Sequence, residues 1–349
     1  MKKPMSKTKK RTIASCINLA LVVLAYFILR LLILSRVINP YYVDIINIIC
    51  INVIAAVSLN MVTGILGQLV LGHAGFMMIG AYTSAILTRD LGWDLVYSLP
   101  LGLLAGGLLA AVLGFLIGIP ALRLRGDYLA IITLGFGEIL RVVGNNLTFI
   151  NGAKGLTGFP VFSARKAPAT LFTFVFFIAA FIIYFSYTFA TSRHGRAVIS
   201  IREDEIAAES SGVNTTTYKL LAFILSAFFG GIAGALLGHR NGVLAPSSFA
   251  FGLSVEYLMM VVLGGMGSIT GSVISAVVLT VLPEVLRPFA TYRMLVYSVL
   301  LVLVMLFRPS GLLGRKEMRV IAPFEKLLAR FKKRRAAAAP GGGKEGGAK

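Results

Sequence analysis

The sequence predicts an all-α, polytopic membrane protein, a bundle of about ten transmembrane helices with both termini in the cytoplasm. Of the 349 residues, 57% are hydrophobic and only 14% are charged, and the mean hydropathy is +0.85. Soluble domains have a much more polar composition. Because no polar stretch is long enough for a separate catalytic domain, one membrane domain is expected to occupy nearly the whole chain.

Nine apolar stretches approach the roughly 20 residues that a helix needs to cross a bilayer. One of them, 253–288, is too long for a single helix, and the sequence GGMGS at 264–268 interrupts it with residues that break helices. It is therefore divided into two predicted spans, the first of them short. The other predicted spans are 13–34, 42–64, 68–88, 98–122, 128–147, 169–190, 218–238 and 292–307.

The lysine and arginine residues predict the orientation, because cytoplasmic loops are enriched in them. An even number of spans places both termini on one side, and with that side in the cytoplasm 24 of the 34 basic residues lie inside. The expected organisation is a basic segment at 1–11, a transmembrane domain at 12–307 with a cytoplasmic polar loop at 191–216, and a basic, partly disordered tail at 308–349. The apolar stretch near the N-terminus lacks a small-residue cleavage site and is expected to remain as an anchor.

Glycine residues recur at a spacing of four, as at Gly102 and Gly106 and at Gly230, Gly234 and Gly238. This spacing lets helix backbones approach closely in a membrane. We expect most of these glycines to serve helix packing rather than to line a pore.

The sequence contains no motif of a catalytic, cofactor or metal site. The glycine-rich stretch 152–158 is not a P-loop, because its lysine is followed by glycine instead of serine or threonine. Cys16 and Cys50 lie in apolar runs, and the three histidines are scattered, so neither a disulfide framework nor a metal cluster is expected. The net charge is +20, but binding of nucleic acid would need a basic face on a soluble fold, and this chain has none. Nucleic acid is therefore excluded as a partner. The positive charge is attributed to contact with the membrane and its lipids.

The polar loop differs from its surroundings between Ser192 and Gly212. We expect a short amphipathic helix there, ended by Gly212, that docks into a groove of a soluble partner. Its apolar side would contain Ile199, Ala207 and Ala208, which Ile206 can join, while Arg202, Glu203 and Glu209 face elsewhere. The alternative is a solvated loop with no partner.

Two charged residues within a predicted span, Glu138 and Arg141, need a partner because ionisable groups are costly inside a bilayer. Their i,i+3 spacing allows an ion pair. Such a pair either stabilises the bundle or takes part in gating or solute passage. Asn60, Gln68 and His73 lie near a glycine-rich bend where a broken helix can line a path, although hydrogen bonding between helices is the favoured explanation for them.

The polar loop resembles the coupling loop of ABC importer permeases, whose pattern is Glu-Ala-Ala, three residues, then Gly. Ala207, Ala208 and Gly212 match this pattern, whereas Ile206 occupies the position of the acid and Glu205 precedes it by one residue. The resemblance implies an ATPase-coupling loop. Its candidate residues are Arg202, Glu203, Glu205, Ala207, Ala208 and Gly212.

A broader resemblance, to the LivM-like permeases of branched-chain amino acid ABC transporters, extends over roughly residues 48–314. Each matching stretch is short, but their number and order make the resemblance specific. The stretches are 58–60, 72–76, 80–82, 125–128, 135–138, 152–160, the coupling loop, 264–268 and 308–312.

This resemblance implies a non-catalytic permease subunit in a bacterial-type cytoplasmic membrane. Its partners would be a second, similar permease, two cytoplasmic ATP-binding subunits and an extracytoplasmic solute-binding protein. Closure of the ATPases would pull on the coupling loop and drive alternating access, and the solute would cross between the two permeases. Branched-chain amino acids are the expected solute, with urea or another small amide or acid as the alternative.

A stand-alone secondary transporter is the alternative from another class, because it would also contain broken helices and an intramembrane ion pair. It predicts an internal repeat with its own site near the middle of the membrane, and the two halves of this sequence show no convincing repeat. A purely structural membrane protein is a third possibility, which the Glu138 and Arg141 charges oppose.

Overall fold

The computed structural model describes residues 22–35, 37–124, 126–161, 168–289 and 311–314, with residues 292, 295–296, 298–299, 302 and 306–308 between the last two ranges. The predicted basic segment at 1–11, the start of the first predicted span, most of the last span and the tail beyond residue 314 lie outside the described residues. The chain divides into two compact units. One is Ile28–Glu317, and the other combines Met1–Phe27 with Met318–Lys349.

The described residues form helices joined by short connections, and they contain no strand apart from one isolated bridge between Leu156 and Leu244. The first helix, α1, includes Val22–Leu34. The others are α2 (Pro40–Asn60), α3 (His73–Leu91), α4 (Leu95–Ala121), α5 (Asp127–Asn146), α6 (Pro168–Thr191), α7 (Arg193–Glu203), α8 (Glu205–Ser210), α9 (Thr215–Asn241), α10 (Phe251–Gly264) and α11 (Ile269–Val285).

Five helical stretches among the described residues are long and apolar enough to cross a membrane. They are Pro40–Leu66, Leu95–Ala121, Ala169–Thr191, Thr215–Asn241 and Pro246–Gly264, while α1 and α11 are shorter apolar helices. The all-α, multi-pass class is therefore confirmed, whereas the number of about ten spans and the side of the termini remain predictions.

The core of the larger unit is built on close contacts between α3, α4 and α9. A Cβ atom on Gly80 would collide with the backbone of Gly231, and one on Gly234 would collide with the carbonyl of Met77. The backbones of α3 and α9 therefore touch, as the glycine spacing predicted. In a bilayer, where lipid is as apolar as the helices, such close van der Waals packing is a main source of helix association.

Two breaks interrupt the helices of the larger unit, one between α2 and α3 and the other between α10 and α11. At the first break, α2 continues as a π-helical turn, Met61–Leu66, Gly67 adopts φ of 80°, and the chain stays non-helical until α3 begins at His73. The predicted span 68–88 therefore started five residues too early. Backbone groups in this break that lack a helical partner can bond to neighbouring helices instead. The amide of Leu71, for example, donates to the hydroxyl of Thr133 on α5 at 3.1 Å.

The second break confirms the predicted division of 253–288. Helix α10 ends at Gly264 and α11 begins at Ile269, with the Ser268 hydroxyl accepting from the amide of Gly271 at 3.0 Å as an N-cap. The amide of Leu312 donates to the carbonyl of Leu263 at 2.7 Å, so the described 311–314 segment covers the end of α10.

Candidate functional site

The polar segment 191–216 forms two short helices instead of the single helix that was expected. The backbone of Asp204 is extended, with φ of −157°, and separates α7 from α8. Its side chain accepts hydrogen bonds from the amides of Ile206 and Ala207 at 2.9 and 3.0 Å, and so caps α8. Gly212 follows the end of α8 with φ of 82°, in agreement with the prediction that it ends the helix.

The break at Asp204 also removes the single apolar side that the sequence suggested. Ala208 is buried and Ile199 is half-buried, whereas Ala207 is exposed and Ile206 is 70% exposed. The expectation of one shared face was wrong because α7 and α8 do not continue the same helical rotation. As a result α8 has one residue against the bundle and two apolar residues directed outward.

An ion pair attaches α8 to α9. The Nζ atom of Lys219 lies 2.7 Å from Oε1 of Glu205, and the two side chains are 5% and 23% exposed. Glu205 is the acid that stands one residue early in the coupling pattern, and this contact gives it a specific partner. Lys219 was not predicted as a site residue, although a lysine just inside the apolar span 218–238 was a usable signal.

Arg202 connects α7 to the first helix break. Its Nη1 atom donates to the carbonyl of Gly64 at 2.7 Å, within the π-helical turn, and its Nη2 lies 2.8 Å from Oε1 of Glu203. The side chain is only 18% exposed. The expectation that Arg202 faces away from the packed side was therefore wrong, since its guanidinium enters the bundle.

Three glycines, Gly64, Gly67 and Gly267, lie against the Arg202 side chain. A Cβ atom on Gly67 would collide with its methylenes, and one on Gly267 would lie 2.8 Å from its Nη1. The amide of Gly267 also donates to Oδ1 of Asn60 at 3.0 Å. We call Asn60, Gly64, Gly67, Arg202 and Gly267 the junction, because these five residues join α7 to both helix breaks.

His73 and Gln68 lie close to the first break. The Nε2 atom of His73 is 3.0 Å from the hydroxyl of Ser58, and its buried ring packs on Gly230 and edge-on to Tyr257. His73 thus forms a hydrogen bond between α3 and α2. Gln68 is half-buried, and its side-chain oxygen has no hydrogen-bond partner among the described residues.

Glu138 and Arg141 form the ion pair that their spacing predicted. Both Nε and Nη2 of Arg141 lie 2.7 Å from Oε2 of Glu138, and the side chains are 28% and 32% exposed. The other carboxylate oxygen accepts from the amide of Phe251 at 3.3 Å, at the first residue of α10. A negative charge at this helix N-terminus is favourable, so Glu138 connects α5 to α10 as well as to Arg141.

A second ion pair missed by the sequence analysis lies between the start of α2 and the end of α9. The guanidinium of Arg240 contacts both carboxylate oxygens of Asp44, at 2.6 and 3.0 Å. Within the described part of the chain, no group of three His, Cys, Asp or Glu side chains is placed to hold a metal ion.

The all-α, multi-pass architecture agrees with a comparison with known families. Residues 41–307 match the family described as "Branched-chain amino acid transport system / permease component". The chain belongs to this permease family. The match covers both helix breaks, the polar segment and the Glu138–Arg141 pair, so all of the candidate site lies inside the family domain.

Curated relatives within this family are similar over most of the chain. The LivM permease protein of Salmonella typhimurium, described as belonging to a high-affinity branched-chain amino acid transport system, is 40% identical over 267 residues. That alignment covers 68% of this chain and 62% of the relative, so the chain spans under two thirds of the length of the LivM protein. LivH of Escherichia coli is 28% identical over 265 residues, covering 70% of this chain and 85% of LivH.

A solved structure, PsaBC from Streptococcus pneumoniae in complex with Fab, covers 77% of this chain and 91% of its own. Its sequence identity of 16% and TM-score of 0.40 are too low to establish a shared fold.

Proposed function

We propose that this chain is the membrane-spanning permease subunit of an ATP-driven importer for branched-chain amino acids, located in a bacterial cytoplasmic membrane. Membership in the permease family and the apolar helices support this proposal. The 40% identity to a LivM protein supports the solute class. The partners would be a second permease of the same family, two cytoplasmic ATPase subunits and an extracytoplasmic solute-binding protein. In this arrangement about ten spans place the termini and residues 191–216 inside.

The junction is the observation that carries the proposal. The outward side chains of Ile206 and Ala207 offer a short apolar knob to a groove on an ATPase subunit. Displacement of α8 would pull on α9 through Glu205 and Lys219, and displacement of α7 would act on Gly64 and Gly267 through Arg202. A force on the polar segment would therefore reach both places where the helices are interrupted.

The helix breaks are suited to movement because their backbone is already outside a continuous helical ladder. Changing their dihedral angles does not require an intact helix to be broken, and loop or helix-end residues absorb such changes in hinge motions. ATPase closure would thus tilt α3 and α10 at these breaks and alternate the access of the solute. The permease itself would perform no chemistry.

The solute would pass along a face shared with the second permease, which contributes the other half of the pathway. Helix α5 fits this role, because one of its faces is exposed and apolar, and a Cβ atom on Gly135 would meet no neighbour within 4 Å. The exposed residues are Tyr128, Ile131, Ile132, Ile139 and Val142. The partly exposed Glu138–Arg141 pair lies on this helix and would line or gate the route.

Reconstitution of the complete transporter in proteoliposomes tests the proposal, with leucine uptake and ATP hydrolysis measured together. Arg202→Gln removes the contact with Gly64, and a charge-assisted hydrogen bond of this kind contributes about 1.5–3 kcal/mol. We expect uptake per ATP to fall about tenfold or more while ATP hydrolysis continues. Arg123→Gln is the matched control, because Arg123 is exposed and belongs to another loop.

Several results would oppose this proposal. Uptake that does not change in Arg202→Gln would exclude the junction as the coupling element. Uptake by the chain alone on an ion gradient, without ATPase subunits, would show a secondary transporter. Competition by urea or an amide, but not by leucine, isoleucine or valine, would keep the importer and replace its solute.

A further inference from the structure

A cavity of about 240 Å³ opens beside the junction, between the end of α6 and α7. Its apolar wall includes Ile65, Ala190, Ile199 and Ile269, and its polar wall includes Thr191 and Arg202. Binding sites for drug-sized molecules generally have about 300–1,000 Å³. This space therefore suits a smaller group, such as a lipid headgroup, rather than a whole lipid or a large metabolite.

Two arginine side chains, one in the wall of the cavity and one beside it, provide donors for an anion. Arg202 lines the cavity, and its Nη1 and Nη2 contact Gly64 and Glu203. Each of these nitrogens carries a second hydrogen that can be donated to an anion, whereas Nε is fully buried. Arg196 lies at the same end of α6, where its Nη1 donates to the carbonyl of Thr191 at 3.1 Å, and the rest of its side chain is exposed. The positive N-terminal end of α7 also begins beside Thr191.

The surface that leads to the cavity is suited to acyl chains. Along α6, a row of large side chains points away from the protein and ends at the cavity wall. These exposed residues are Phe177, Phe181, Tyr184 and Tyr187. Phenylalanine in the apolar part of a span, followed by tyrosine near its end, matches the depth profile of a membrane leaflet, since tyrosine favours the level of the headgroups.

We propose that this cavity binds the headgroup phosphate of an anionic phospholipid, whose acyl chains lie along the exposed face of α6. The phosphate is held by Arg202 and Arg196, and the first carbons of the lipid contact Ala190 and Ile199. This site goes beyond the proposed function, because it needs only the membrane and not a particular solute. The bound lipid braces α7 against α6 and so stabilises the contact of Arg202 with Gly64.

The experiment measures lipid retention by the complete transporter. The complex is purified into nanodiscs that contain phosphatidylglycerol and phosphatidylcholine, released into mild detergent and analysed by native mass spectrometry. Ala190→Phe fills the cavity without changing either arginine. Val112→Phe is the matched control, because Val112 is exposed on another apolar helix, α4, and lines neither the cavity nor the exposed face of α6. Ala190→Leu adds less volume and serves as a second variant if the first one assembles poorly.

We expect one phosphatidylglycerol per permease to remain in the parent protein and in Val112→Phe, and its occupancy to fall about tenfold in Ala190→Phe. Phosphatidylcholine should not replace it, and an excess of inorganic phosphate should not displace it. Equal retention of both lipids, or retention that Ala190 substitutions leave unchanged, would overturn the proposal. Displacement by inorganic phosphate would overturn the lipid and assign the cavity to a free anion. Leucine uptake is recorded separately, so a failed lipid site and a failed transport function give different results.

Discussion

The ion pair between Glu205 and Lys219 allows a quantitative test of how α8 is held against α9. We predict that Glu205→Gln releases α8 from α9, because it leaves the ammonium of Lys219 buried without its carboxylate. Helix α8 has only six residues, and an isolated helix needs about 12–15 to be even marginally stable in water. The position of α8 therefore depends on contacts such as this pair, the Asp204 cap and the burial of Ala208.

The magnitude follows from the burial of the two charges. Removing one partner of a buried ion pair costs about 3–5 kcal/mol. Because the Glu205 side chain is 23% exposed, we take the lower end, about 3 kcal/mol. With tenfold per 1.36 kcal/mol, the equilibrium for opening of α8 should rise about 150-fold.

Hydrogen exchange measures this opening directly. In the purified transporter, the amides of Ala208 and Ser211, bonded within α8 to the carbonyls of Asp204 and Ala207, should exchange about 150-fold faster in Glu205→Gln. Glu209→Gln is the control, since Glu209 is an exposed acid on the same helix. A change of less than about threefold in Glu205→Gln, or the same change in both variants, would refute the reasoning.

A double variant separates the buried charge from the lost contact. Lys219→Met in the Glu205→Gln background removes both charges, and replacing a whole buried pair by apolar groups is generally far less costly than breaking it. Exchange at Ala208 should therefore slow again, toward the parent rate. If the double variant exchanges as fast as Glu205→Gln, the lysine charge is not the cause.

Three further perturbations have clear expectations. Gly234→Ala should lower the thermal midpoint of the purified protein by the equivalent of about 1–3 kcal/mol, because the new Cβ overlaps the backbone of α3, whereas Gly135→Ala should be neutral or slightly stabilising. Glu138→Gln together with Arg141→Gln should reduce assembly, measured by size-exclusion chromatography, less than Glu138→Gln alone; normal assembly of the double variant with loss of transport would instead establish a role in gating. Asn214→Ala, which removes the cap of α9, should destabilise that helix by about 1 kcal/mol, seen as faster amide exchange at Thr217 than in the parent.

Much of the fold could be predicted from composition and local sequence. The apolar stretches predicted α2, α4, α5, α6 and α9 to within three residues at each end of the helical segment, because burial in lipid requires uninterrupted apolar helix. The glycines at 264–268 predicted the division into α10 and α11 for the equally local reason that they break helices. The spacing of Glu138 and Arg141 predicted their ion pair, since both lie on one helix.

The candidate site could be located but not assembled from the sequence. The polar segment was recognisable by its charge and by the Ala207, Ala208 and Gly212 pattern. The directions of its side chains could not be predicted. The extended conformation of Asp204 ends α7 and starts α8, so the angle between the Ile199 and Ile206 side chains is not the one that a single continuous helix would give. A helical period measured across such a break has no meaning.

The sequence alone determined that this is a multi-pass helical membrane protein of the permease type, with a polar segment between two of its apolar helices. Only the tertiary structure decided what that segment touches. Arg202 reaches Gly64 and Gly267, and Glu205 reaches Lys219, across separations of 138, 65 and 14 residues. Local propensity and hydropathy are set by near neighbours in the chain, whereas these contacts depend on how close packing of glycine-rich helices brings distant breaks to one end of the bundle.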